Sequence, residues 1–162
     1  MLQRVLVVFE NEKVSEKALV YARELALRMD CEVTLLMLVE MPFQNGSHLA
    51  PKREAIREIE KRMGKVLAER SAEFLKKGIV VSAALRIGAP AQELMKFLAE
   101  RHPFQVVIWG GADDFTERGS VPKNHWMNKM AAKLEGSLII VSHRELKGLE
   151  SKIGTWSGGD GL

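Results

Sequence analysis

The stretch "RVLVVFENEKVSEKAL", residues 4 to 19, decides the fold. Its first part, "RVLVVF", residues 4 to 9, has no polar residue after the leading arginine, as in a parallel strand covered on both faces. An acid and a turn follow. From Ser15 to Met29 the apolar positions Ala18, Leu19, Ala22, Leu25, Ala26 and Met29 then recur at spacings of three and four, which predicts a helix with one core-facing stripe. A buried strand running through a short turn into an amphipathic helix is the opening of a βαβ unit.

Further along the chain the same alternation continues. "CEVTLLMLVE", residues 31 to 40, reads as a second strand. The segment "MPFQNGSHLAP" reads as a loop, because Pro42, Asn45, Gly46 and Pro51 disfavour regular structure. Residues 52 to 77 set Ile56, Ile59, Met63, Val66, Leu67, Phe74 and Leu75 among charges and predict one long amphipathic helix ended by Gly78. "IVVSAALRI" is a third strand, and Pro90 opens a shorter helix that ends near His102. "FQVVIW" gives strand four, and a last helix from Asn124 to Leu134 places Trp126, Met127, Met130, Ala131 and Leu134 on one side. "SLIIVS" makes strand five, and a tail begins at His143 whose end, "SGGDGL", is expected to be disordered. The order predicts an α/β fold: a doubly wound, five-stranded parallel sheet with right-handed crossovers. Ligands in such sheets bind beyond the carboxyl ends of the strands, where the strand order reverses.

Bulk properties narrow the function classes. A chain of 162 residues with 46% hydrophobic and 28% charged residues fits one folded domain without long disorder. The net charge of +3 is a small imbalance, and basic residues alternate with acidic ones in "KREAIREIEKRMGK", so no basic stripe for nucleic acid emerges. One cysteine, Cys31, cannot form an internal disulfide and points to a reducing, cytoplasmic setting, with its thiol expected to pack as a small hydrophobe. No apolar run approaches the roughly 18 residues of a membrane span, and the N-terminus meets acid too soon for a signal peptide.

The chemistry turns on "VVIWGGADDFTERGSVPKNHW", residues 106 to 126. A buried strand runs into a glycine pair, as in phosphate-binding loops, but Asp113 and Asp114 follow. These two could ligate a hard cation, and a solvated loop after a strand is the simpler reading. His48, His102, His125 and His143 show no metal-ligand spacing and join no Ser/His/Asp or Cys/His motif. His125, beside Lys123 at a helix start, could receive an anion. No Gly-x-Gly-x-x-Gly follows strand one, so a flavoprotein or nucleotidyl-transferring relative is remote.

Several blocks resemble the universal stress protein family. They are "RVLVVFENEKVSEKAL", "TLLMLVE", "IGAPAQELMKFLAERHPFQVVIWGG" and the spacing to "SLIIVS", a likeness that reaches about residue 142. The resemblance implies a Rossmann-like fold of the adenine nucleotide alpha hydrolase type over residues 1–142 and homodimers formed through the edge strand around Leu138 and Val141. An exposed apolar edge also invites such pairing on physical grounds. The family's ATP binders carry a glycine after strand four, a second three positions later, and a Gly-Ser or Gly-Thr opening the last helix. Gly110 matches the first, but the second position falls on Asp113 and the third near Asn124 and His125. Gly119-Ser120 lies too early to serve. Glu10 and Asn11 stand where the family has Asp and Gly.

The resemblance therefore assigns any cofactor contacts to Glu10, Leu38, Val39, Gly110, Asp113, Asn124 and His125. A carboxylate about 4 Å from a phosphate charge costs about 1 kcal/mol in water-like surroundings and about 4 kcal/mol at an effective dielectric of 20. Asp113 alone would then weaken phosphate binding roughly ten- to a thousandfold unless a metal intervened. The expectation is a homodimeric, non-enzymatic stress-response protein that holds no cofactor and acts on a protein client, with no nucleic acid or membrane partner. The alternative is a sensor of the same family that binds ATP with Mg²⁺ through an altered phosphate loop.

Overall fold

The computed structural model describes residues 3–41, 49–101, 103–110, 126–131 and 137–140. The elements run β1 (Gln3–Glu10), α1 (Glu16–Met29), β2 (Cys31–Glu40), α2 (Leu49–Lys76), β3 (Val81–Gly88), α3 (Pro90–Ala99), β4 (Val106–Gly110), α4 (Trp126–Ala131) and β5 (Ser137–Ile140). All strand pairs are parallel, and the order across the sheet is β3-β2-β1-β4-β5. β1 and β2 pair without offset from Gln3↔Cys31 to Glu10↔Leu38, while Phe9 pairs with Gly110 on the other side. The order reverses between β1 and β4, so the crevice position lies over the ends of those two strands.

Strand parity builds two cores. Val5, Val7, Phe9, Leu35, Met37 and Ile108 point to the face covered by α1 and α2, where Leu19, Leu25, Met63, Leu67 and Phe74 meet them. Leu6, Val8, Leu36, Leu38, Val107 and Trp109 point to the opposite face, under Leu94 and Phe97 of α3 and Met127 and Met130 of α4. Both faces of the central strands are therefore buried, which is why their sequences read as continuous apolar runs. The stripe expected on α1 is buried from Ala18 to Ala26, with Met29 half-buried at its end, and Met127 and Met130 of the stripe on α4 are buried.

The ends of the elements have local causes. Ser15 caps α1, its Oγ accepting a hydrogen bond from the Ala18 amide at 3.2 Å. Ser15→Ala is expected to lower stability by about 1 kcal/mol in urea unfolding followed by circular dichroism. α2 begins at Leu49, earlier than the apolar period suggests, and takes in Pro51. A proline in the first helical turn forfeits no intrahelical bond, because the N–H it lacks would have had no partner there. At the other end Gly78, with φ of 77°, donates its amide to Leu75 and passes the chain on to Ile79, whose amide returns to Phe74 at 3.1 Å. That is a Schellman closure, and its accompanying apolar contact is the buried pair Ile79 and Phe74. It holds Ile79 to the helix, so β3 starts at Val81 rather than at Ile79.

Cys31 is buried at the start of β2. Burial pushes its thiol up from the ordinary value, and the adjacent Asp30 charge adds to the rise. Among the described residues no helix is long and apolar enough to cross a membrane.

Candidate functional site

The site to inspect lies where β1 and β4 end. Glu10 is the last residue of β1, on the face shared with Leu6 and Val8, and its carboxylate is already engaged. Trp109, the penultimate residue of β4, donates its indole N–H to Glu10 Oε2 at 2.6 Å. Trp126, the first residue of α4, donates to Glu10 Oε1 at 2.8 Å. One carboxylate thus ties together β1, β4 and α4 directly at the point where the strand order reverses. Buried tryptophans need a partner for their N–H, and Trp109 has no exposed surface.

A second tie closes the end of β2. The residues after Glu10 turn sharply, with Lys13 donating its amide to the Glu10 carbonyl at 3.0 Å. Both central residues, Asn11 and Glu12, have positive φ, at 51° and 63°. This is the sign pattern of a type I′ turn, which suits asparagine and strains a glutamate. The turn aims Asn11 at β2. Its amide donates to the Leu38 carbonyl at 2.8 Å, and its Oδ1 accepts from the Glu40 amide at 3.0 Å. Glu12 in turn receives the Arg62 guanidinium of α2, with Nε at 2.9 Å and Nη2 at 2.8 Å.

Gly110 has a structural reason to be glycine. A Cβ built there would lie 2.8 Å from the Ser15 Cβ and 2.9 Å from the Ala18 Cβ. The missing side chain lets the end of β4 pass against the N-terminus of α1, a requirement independent of any phosphate.

The structure brings together some of the residues that the sequence singled out. Glu10, Leu38, Val39 and Gly110 all lie at the carboxyl ends of the three central strands. The side chains of Leu38 and Val39 are buried in opposite cores, so only their backbone could meet a ligand. Asp113, Asp114, Asn124 and His125 lie outside the described residues, as do Val141 and the tail. Trp109, Trp126 and Asn11 were not read as site residues. Their signal was faint: an acid at a strand end, and two tryptophans whose N–H groups needed an acceptor. Among the described residues no group of three or more His, Cys, Asp or Glu side chains comes together to hold a metal.

These features define a doubly wound α/β domain whose switch-point crevice is bridged by its own side chains. Comparison with known proteins gives the family: the model of the universal stress protein family matches residues 1–110, and the chain belongs to that family. Comparison with curated protein sequences gives no match. Among solved structures, the universal stress protein UspA from Lactobacillus plantarum superposes with a TM-score of 0.66 at 15% identity, covering 86% of this chain and 97% of that one. A universal stress family protein from Burkholderia pseudomallei gives 0.59 at 16% identity, covering 85% and 94%. A universal stress protein in complex with cAMP gives 0.54 at 14% identity, covering 86% and 96%. At such identities the likeness is one of fold.

Proposed function

We propose that this protein is a non-enzymatic stress-response or regulatory member of its family that works through protein contacts and holds no adenine nucleotide tightly. One observation carries the reading: both oxygens of Glu10, the acid that would face adenine or ribose, accept indole N–H bonds from Trp109 and Trp126. A nucleotide entering there meets a carboxylate whose two oxygens are each already bonded, and one that needed Glu10 turned toward it would break two charge-assisted bonds, while Asn11 beside it is held to Leu38 and Glu40. The sequence adds Asp113 where the phosphate loop of ATP-binding relatives has glycine. A cytoplasmic setting fits the single, buried cysteine. Homodimerisation through β5, around Leu138 and Val141, is the partner arrangement that goes with this reading.

Calorimetric titration of the purified protein with ATP and Mg²⁺, and separately with cAMP, tests it. No heat beyond dilution is expected up to millimolar ligand. Saturable binding near one nucleotide per chain overturns the reading in favour of a nucleotide sensor, which the cAMP complex of one structural relative makes the natural second candidate. Asp113→Gly then separates the causes, since tighter binding in the variant marks repulsion and lost binding marks a metal held by Asp113.

A further inference from the structure

β3 is an edge of the sheet, pairing with β2 alone among the described strands. The Val80 carbonyl accepts from Val33 at 2.9 Å and the Gly88 carbonyl from Met41 at 3.3 Å, so the even-numbered residues turn their backbone groups toward β2. By alternation the N–H and C=O groups of Val81, Ala83, Leu85 and Ile87 point outward. A cavity of about 690 Å³ opens along this edge. Its lining includes Ala83 and Ile87 from one face of the strand and Ala84 and Arg86 from the other, so it wraps the edge rather than covering a face. Gly64 of α2 forms part of the wall. A glycine inside a long helix weakens it, and a Cβ there would meet nothing within 4 Å, so no packing among the described residues accounts for this one.

We infer that β3 is a pairing edge for a second copy of this chain, joined antiparallel about a two-fold axis at Ala84. In that register Ala84 meets Ala84 of the second copy as a close, non-hydrogen-bonded pair, and Ala83 meets Leu85 and Val81 meets Ile87 as hydrogen-bonded pairs. The outward backbone groups are those the register uses. Charge and apolar surface are self-complementary along the edge. Exposed Glu60 lies toward the C-terminal end of β3, where Glu93 is paired with Lys96 at 3.4 Å and Arg86 with Glu100 at 2.8 Å, while exposed Lys76 and Lys77 precede its N-terminal end. Leu75 and Val80, 61% and 59% exposed, also lie at the N-terminal end. Antiparallel pairing sets Glu60 of one copy against Lys76 and Lys77 of the other, and brings the exposed Leu75 and Val80 of each copy to the seam. Gly64 leaves room for the approach of the two α2 helices. This inference does not rest on pairing through β5, which uses the opposite edge.

The test combines light-scattering mass over a concentration series with cross-linking. Ala84→Cys places a thiol where cross-strand Cβ atoms come within disulfide reach, and Cys31 is too buried to compete. Oxidation is expected to convert Ala84→Cys into covalent dimers. Gly64→Leu, which has open space within its own chain, is expected to weaken association about tenfold or more while its circular dichroism melt stays native-like. A fall from dimer to monomer in Gly64→Leu supports the β3 edge and removes the β5 reading, and a fall from tetramer to dimer supports both. Association that survives Gly64→Leu with no Ala84→Cys cross-link overturns the inference and leaves β5 pairing standing. A chain that stays monomeric at every concentration, or that retains a co-purifying peptide on β3, also overturns it.

Discussion

Glu10→Ala is expected to destabilise the domain by about 2–3 kcal/mol, measured as a shift of the urea midpoint at constant slope. The change removes a carboxylate that accepts from Trp109 at 2.6 Å and from Trp126 at 2.8 Å. It takes a charged acceptor from the fully buried Trp109 N–H, and a hydrogen bond to a charged group contributes about 1.5–3 kcal/mol. Glu10 keeps some contact with solvent, so the figure stays below the sum of two charge-assisted bonds. Glu10→Gln should fall between the two, because an amide offers one acceptor oxygen where the carboxylate offers two. A loss under about 0.5 kcal/mol for Glu10→Ala, the range of an ordinary surface change, would show that the carboxylate does not hold the crevice shut.

Gly110→Ala is expected to cost about 1–3 kcal/mol, the range of overpacking in a well-filled site. The added methyl would overlap the Cβ atoms of Ser15 and Ala18, which ride on the first turn of α1 and cannot rotate away. Relief requires either the end of β4 or the start of α1 to shift, and the latter also disturbs the Ser15 cap. Hydrogen exchange at Ala18 and Leu19 should rise with the loss of stability. If the variant unfolds at the wild-type midpoint, the close approach is softer than the geometry indicates, and the role of Gly110 returns to the loop that follows it.

Much of the fold was legible because buried parallel strands and amphipathic helices leave strong periodic marks. β1, α1 and β2 lie within a residue of where the pattern of residues 4 to 40 puts them. The misplaced boundaries were set by backbone geometry that periodicity does not carry. Pro51 looks like a loop residue until the helix is seen to begin two positions before it, and Ile79 looks like strand until its amide is found bonded back to Phe74.

The site was legible in position but not in content. Glu10 and Gly110 fall at the carboxyl ends of neighbouring strands, as the topology requires. Their partners did not follow from spacing, because Trp109 and Trp126 stand 99 and 116 positions from Glu10. Gly110 carried two meanings in the sequence, a phosphate loop and a tight packing contact. The distances to Ser15 and Ala18 supply the second.

The paired indoles on Glu10 also make the protein its own optical gauge. Two of its three tryptophans donate to a single carboxylate, so their fluorescence is tied to whether that junction is intact. Any molecule that pried the junction open would change the surroundings of both indoles, and with them the emission spectrum. The occupancy of this cleft could therefore be followed without attaching a dye.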